Sequence, residues 1–516
     1  MQGISASSTR AVFAGILFFG LLAMTARNAT DPDLWWHLRT GQWIVETGHI
    51  PHFDPFSFTR AGSPWLPHEW LSDVAFYELW RLGGAAALIV FSSLITTAGF
   101  LLLYTRCPGM SYWAAAATLL GALASAPCWG TRPQMFTFAL ASLLLWLVER
   151  APERPRLLLW IPPLFLLWLN LHAGFALGPA LLLLYAAGLT LEVAAGTTAW
   201  KEARAPILRV LAVMLACMAL VPLNPSGTQL YRYPFDTLRS PGMRSLIVEW
   251  FSPDFHQSLY TPFLLVLLIL LAALARSGAQ IKGRVLLPLV FTAVAALDAV
   301  RHIPIFILLA IPVIAAAVPE VATFRNRPAP VPVRPRLRQL FGAAVLVLLA
   351  AFAWLRWEGL ARLQAVREAE QFPKNAVAFL QTRSEPRRLF VYYDWAGYAI
   401  WNLYPQYRVF VDGRADLFDG GLLQQSIQTL PQVQNGWRAI LEDWNVGSVL
   451  LPPNTALAQA LALDPQWSSP YRDPLAVLFT RMYVERRTPG PTPAHGERGT
   501  PARPRTANST SPRKMP

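Results

Sequence analysis

Apolar blocks recur from residue 11 to residue 355, separated by short polar connections. A bilayer-spanning helix needs about 20 apolar residues. The pattern therefore predicts an α-helical polytopic membrane protein with about eleven transmembrane helices. Their cores fall at 11–27, 85–105, 111–128, 134–148, 157–170, 173–194, 205–222, 259–276, 283–299, 302–318 and 339–356. Arg10 precedes the first block as it would in a signal peptide, but Met24 stands where a small cleavage-site residue is expected, so a retained span is the better reading. After residue 357 the pattern changes. "RRLFVYY", "YRVFVDG", "GSVLLPP" and "LAVLFTR" read as short strands with helical stretches between them. The expected organisation is a transmembrane domain over 1–357, with a first outside loop at about 28–84, and a small α/β domain over 358–485. Residues 486–516 are rich in Pro, Arg and Thr without apolar periodicity and read as a disordered tail; Asn508 opens a short glycosylation-type sequon there.

Composition agrees. The chain of 516 residues is 54% hydrophobic and 14% charged, against roughly 25% charged in soluble proteins. The formal net charge of +14 would point to nucleic acid in a soluble chain. Here its placement matters more, because Lys and Arg near span ends set orientation. With the N-terminus and Arg10 in the cytoplasm, the inner connections hold Arg106; Arg150, Arg154 and Arg156; Lys201 and Arg204; Arg276, Lys282 and Arg284; then Arg325, Arg327, Arg334, Arg336 and Arg338. Every inner connection is basic, and the C-terminal domain falls on the outer, extracytoplasmic side. Nucleic acid is not an expected partner; membrane lipids are. Seven of the eight histidines lie in outer loop segments, so groups capable of chemistry gather at one membrane face. Cys107, Cys128 and Cys217 are scattered, which excludes a disulfide framework and a thiolate metal site.

The first outer loop opens on "DPDLWWHLRTGQW". Asp31 followed by Pro32 is a standard helix start. The segment after it reads as an interfacial helix, with Leu34, Leu38 and Val45 on one stripe and Trp35, Trp36 and Trp43 at headgroup level. A cap needs one carboxylate, which leaves the other free. Asp33 and His37 are four apart and share a helix face, with Arg39 close by. A carboxylate beside a histidine at the rim of a span can take a proton or hold a cation. His49, His52 and Asp54 follow, then His68 and Glu69 before a second amphipathic segment. His and carboxylates suit divalent ions, but their spacing matches no specific metal motif. Backbone-bonded loop histidines are the commoner outcome.

The single span, the long outer loop running from "DPDLWWHLRTGQW" to "PHEWLSDVAFYELWRLGG", the many later spans and the C-terminal "YYDWAGYAIWNLYPQYRVFVDGRADLF" together resemble the C-type (GT-C) membrane glycosyltransferases, closest to an uncharacterised bacterial branch. The resemblance spans most of residues 10–485. It implies a bacterial inner-membrane enzyme. Such an enzyme moves a sugar from a polyprenyl-phosphate-linked donor to an envelope glycan, lipid or protein acceptor on the outer side, with inversion. It also implies an acidic general base in the first outer loop, here Asp33 or Asp31 with His37 beside it, and leaves a divalent cation as an open option. Physical chemistry adds fixed cations for the phosphate leaving group, since Arg binds phosphate bidentately and keeps its charge. Arg132, Arg232, Arg244 and Arg301 are candidates; Arg132 and Arg301, at span edges, are the stronger ones. Further candidate substrate contacts are His68, Glu69, Glu249 and His302, with Asn170 and His172 in "WLNLHAGF" placed to bind sugar hydroxyls. Ala173 stands where related sequences more often carry the first of two glycines. In the C-terminal domain Asp394, Asp412, Arg414 and Asp416 are either acceptor contacts or turn chemistry with an internal ion pair. Two rival readings are a lipid or polymer transporter or flippase, and a non-catalytic envelope scaffold. The first would place ionisable groups at mid-membrane in paired halves. The second would tolerate loss of both first-loop aspartates.

Overall fold

A computed structural model describes residues 6–109, 111–277, 281–317, 335–383, 385–418 and 421–482. The basic segment 325–334 and the tail 486–516 lie outside the described residues.

Each expected apolar block falls on a helix. They are α1 (Ala6–Thr25), the second part of α3 (Trp70–Arg106), α4 (Ser111–Ser125), α5 (Gln134–Arg150), α6 (Ile161–Leu171), α7 (Leu177–Ala194), α8 (Trp200–Leu220), α11 (Thr261–Ser277), α12 (Gly283–Asp298), α13 (Ile303–Ala317) and α14 (Pro335–Gln371). The first outer loop contributes α2 (Leu34–Thr47), and the long loop after α8 contributes α9 (Tyr233–Arg239) and α10 (Pro241–Leu246). Six helical segments among the described residues are long and apolar enough to cross a membrane. The expected eleven spans are not reached on that measure, because α1, α4, α5, α6 and α12 present shorter apolar stretches. At 1.5 Å per residue, a helix as short as α6 falls well below a hydrocarbon core of about 30 Å.

Helix α13 is the most enclosed of the long apolar helices and α14 the least. Phe341, Val347, Leu348 and Leu355 are exposed on α14, as side chains facing lipid would be. At the end of the bundle opposite the loop cluster described below, Arg106 pairs bidentately with Glu149 at 2.7 and 2.9 Å. Arg284 does the same with Glu192 at 2.6 and 3.0 Å. These are the connections whose basic residues marked the inner side.

Helix α3 is two segments. Gly84 takes φ 58°, a region open to glycine, and breaks the helix between the amphipathic stretch after His68 and the apolar stretch that follows. The second amphipathic segment leading into the second apolar block is therefore present.

The C-terminal domain carries a five-stranded sheet in the order β2-β1-β3-β5-β4. Its strands are β1 (Arg388–Val391), β2 (Arg408–Val409), β3 (Ser448–Leu451), β4 (Trp467–Arg472) and β5 (Val477–Arg481). β1 runs parallel to β2 and β3, and β5 runs antiparallel to β3 and β4. The four expected strands are present; β4 was not visible in the pattern, being half-exposed and interrupted by Pro470. The first outer loop lies along the free edge of β2. Phe58 N donates to Val409 O at 3.0 Å and Val409 N donates to Phe56 O at 3.2 Å. An edge strand with unpaired backbone groups is a pairing template, and here the loop fills it.

This docking corrects the interfacial reading of α2. Leu34, Trp35, Trp36 and Leu38 are all buried. Trp35 packs edge-on against Trp80, Phe372 and Tyr398, between α3 and the C-terminal domain. Its stripe was legible, but the domain that covers it lies more than 300 residues further along the chain. The helix start is also shifted. Asp31 Oδ1 accepts from Asp33 N at 2.9 Å in a turn, and Asp33, at the cap position, makes no capping bond. Neither carboxylate serves as a conventional N-cap.

Candidate active site

A cavity of about 480 Å³ opens where the outer loops meet the C-terminal domain, within the roughly 300–1,000 Å³ range of small-ligand sites. Asp33, His37, His68, Glu69, Arg132, His172, Glu249 and Arg301 all line it. They come from five separate outer segments, so the segments assigned to one side by charge converge in space.

Two groups of charges form the walls. The first centres on Arg132. Its guanidinium pairs with Asp31 and with Glu249 at hydrogen-bonding contact and lies 3.9 Å from Asp33 Oδ2. Three carboxylates share one guanidinium, so this wall is net negative. Burial pushes the Asp33 carboxyl up to about 6, against the lowering charge of Arg132. The side chain faces the cavity, and Trp36 Nε1 donates to its Oδ1 at 3.3 Å. Gly413 abuts the same oxygen and Trp36 Nε1; an added Cβ there would overlap the Asp33 carboxylate.

The second group centres on Glu69, with three histidines around it. His68 Nε2 lies 3.2 Å away, His172 Nε2 3.5 Å and His37 Nε2 3.8 Å. Burial alone would raise Glu69, but its histidine neighbours, His68 foremost, hold it well below the usual carboxylate range. His68 is lifted to about 9, because the charge and hydrogen bond of Glu69 outweigh burial. Burial lowers His172 to about 4; its Nδ1 meets Thr137 Oγ1 at 2.7 Å. His37 Nδ1 is 2.6 Å from Asp73 Oδ1. That bond, with the charges of Asp73, Glu69 and Asp33, overcomes burial and raises His37. The expected Asp33–His37 pair is thus corrected: the direct partner of His37 is Asp73.

Arg301 is a further cation of the lining, alongside Arg414, which is ion-paired with Asp412 and Asp54. The Arg301 guanidinium lies 4.5 Å from the centre of the Trp250 ring. Among the described residues it has no carboxylate within salt-bridge distance.

Other expected residues fall elsewhere. Asn170 accepts from Trp70 Nε1 at 2.8 Å and from Asn224 Nδ2 at 3.1 Å, and donates to Leu166 O at 2.8 Å; its amide is spent on packing, outside the lining. Arg232 is exposed outside the lining. Arg244 pairs with Asp298 at 2.9 Å on the surface. His302 Nδ1 meets Ala295 O at 3.1 Å and also stands outside the lining. His49 bonds the Thr47 carbonyl at 2.7 Å, the ordinary loop outcome.

Sequence reasoning missed Asp73 and Tyr233. Asp73 follows Glu69 by one helical turn, a spacing that was available as a signal. Tyr233 packs at a tilt against His68 with ring centres 4.3 Å apart and lies on the long loop, with no motif to mark it. The C-terminal domain supplies Tyr393, Asp394 and Asp416 to the lining. Asp412 and Arg414 form the internal ion pair, extended by Asp54 of the first loop.

The GT-C resemblance leaves room for a divalent cation, and the residues present do not fit one as arranged. Asp31, Asp33 and Glu249 converge on the Arg132 guanidinium. Among the described residues no group of three or more His, Cys, Asp or Glu is placed to hold a metal ion. No step is assigned to a metal.

The solved structure of the Archaeoglobus fulgidus oligosaccharyltransferase in its apo form is similar to this chain with a TM-score of 0.52. The two share a fold. The match covers 85% of this chain and 69% of that one, at 11% sequence identity. No family model matches the chain, and no curated protein does. The charges around Arg132, Glu69 and Arg301 are features of this chain's own sequence.

Proposed function

We propose that this chain is a membrane glycosyltransferase that moves a sugar from a polyprenyl-phosphate-linked donor to an envelope acceptor. The acceptor is a glycan, lipid or protein. It would work at the outer face of a bacterial plasma membrane, with the N-terminus cytoplasmic and the shorter apolar helices also counted as spans. The observation that carries this reading is the pairing, in one cavity, of a lining carboxylate raised to about 6 with a cation free of any carboxylate partner among the described residues. The GT-C-like fold supports the same class.

In this scheme Asp33 accepts the proton of an acceptor hydroxyl as that oxygen attacks the anomeric carbon. The bond from the anomeric carbon to the phosphate oxygen breaks, and the lipid phosphate leaves with the electron pair. Arg301 meets the charge that develops on it; a preorganised cation in a water-poor site is an effective stabiliser. Attack from the face opposite the leaving group gives inversion. Arg132 holds Asp31, Asp33 and Glu249 in register and is a positioning residue, its donors already engaged. Glu69 and its histidines present fixed donors and acceptors suited to sugar hydroxyls.

The test is Asp33→Asn, compared with wild type for glycosylated product in membrane and envelope extracts by mass spectrometry, with thermal melts as a folding control. Loss of product in a normally folded variant supports the reading. Undiminished product would remove Asp33 from the chemistry and favour a scaffold.

A further inference from the structure

A second cavity, of about 540 Å³, shares Pro32 as a wall with the first and has Asp31 in its own lining. It is built where the chain leaves α1 and passes α14. Met24 and Leu360 give it an apolar flank, and Arg27 and Arg356 give it two guanidiniums. Both arginines are exposed. Among the described residues neither has a carboxylate within salt-bridge distance, and the one acid in the wall, Asp31, is held by Arg132.

Both guanidiniums line the same cavity. Arg27 is steadied by the Trp129 ring, 5.7 Å from its guanidinium carbon. The elements carrying both residues are tied together. Asn28 Nδ2 donates to Leu360 O and to Gln364 Oε1, each at 3.0 Å, and Gln364 Nε2 donates to Ala29 O at 3.0 Å. An isolated arginine at a span end is a headgroup contact of no particular meaning. Two that converge on one cavity, on cross-braced elements, form a fork for an anion. Guanidinium pairs match phosphate oxygens bidentately. The position also selects the source of the phosphate: the cavity lies where α1 ends and beside the apolar part of α14, within reach of a lipid headgroup.

We propose that this cavity binds the phosphate of a lipid phosphomonoester, at a site separate from Arg301 and the main cavity. The proposal does not depend on the glycosyltransferase reading.

The experiment uses the full chain in mild detergent, with native mass spectrometry of bound dioleoyl phosphatidate. Dioleoylglycerol is the uncharged control and inorganic phosphate the lipid-free probe. The experiment is run in an Arg301→Gln background, which removes the Arg301 cation of the main cavity. The expected result is phosphatidate binding in that background, at least tenfold weaker binding once Arg27→Gln and Arg356→Gln are added, and recovery with Lys at both positions. Equal binding of dioleoylglycerol, or undiminished phosphatidate binding by the double Gln variant in that background, would overturn it. If inorganic phosphate alone binds as tightly as phosphatidate and needs both arginines, the assignment to a lipid is wrong. A double Gln variant that loses binding but melts well below wild type is read through the double Lys variant. Weak binding by a stably folded double Lys variant would likewise overturn the proposal.

Discussion

Arg414 is the most exacting place to perturb the coupling between the first loop and the C-terminal domain. Its Nη2 lies 2.7 Å from Asp54 Oδ1 and 2.7 Å from Asp412 Oδ2, and its Nε lies 2.8 Å from Asp412 Oδ1. The three side chains are 1%, 0% and 0% exposed. The guanidinium carbon also sits 4.5 Å from the Trp65 ring centre and 5.1 Å from that of Phe56. Replacing Arg414 by Met leaves two buried carboxylates facing each other without a cation. Removing one partner of a buried pair costs about 3–5 kcal/mol, and the lost desolvated cation–π contact is worth about 2 kcal/mol. The terms overlap, so a loss of roughly 4 kcal/mol is expected. Adding Asp54→Asn and Asp412→Asn should recover at least part of it, since no unpaired charge then stays buried. The assay is thermal unfolding in detergent followed by tryptophan fluorescence. A loss below about 1 kcal/mol, the size of an exposed pair, would refute the claim that this triad is dry and clamps the two parts together.

Three further predictions follow from the site. Gly413→Ala places a methyl group on the Asp33 carboxylate; it should lower kcat markedly for a stability cost of about 1–3 kcal/mol, read by product formation alongside a melt. Activity should fall as pH drops through about 6, where Asp33 takes up a proton, by about tenfold per unit below that point; an acid limb near the ordinary carboxylate value of 3.8 would contradict its burial. His68 is raised from 6.5 to about 9, so its contribution to stability is fully present below pH 6.5 and is lost as pH rises through 9. The melting difference between wild type and His68→Gln should therefore shrink between pH 6 and 9.5, and a constant difference would refute the raised pKa of His68.

Much of the architecture was legible because its signals are local. Apolar block length placed a helix at every expected position, and charge alternation grouped the outer segments that converge on the cavity. Four strands were readable from short apolar runs. What failed to show depends on contacts between distant residues. Trp35 looks like a headgroup anchor until the C-terminal domain covers it. Asn170 looks like a sugar ligand until Trp70 and Asn224 take its amide. Arg132 was read as a phosphate clamp, yet three carboxylates from two loops already occupy it, which leaves Arg301 as the candidate for that role. The Asp33–His37 pairing followed correct helical spacing, but Asp73 competes for His37 from a helix 36 residues away.

The central claim is that the cavity receives a lipid-linked sugar. The most direct measurement is mass spectrometry of lipids retained by the protein purified in mild detergent, before and after incubation with polyprenyl phosphate. The account predicts a retained polyprenyl phosphate, with or without a sugar, that persists in Arg27→Gln/Arg356→Gln and is depleted when Arg301→Gln is added to that pair. Retention of bulk phospholipid alone, unchanged after polyprenyl phosphate is supplied, would contradict it.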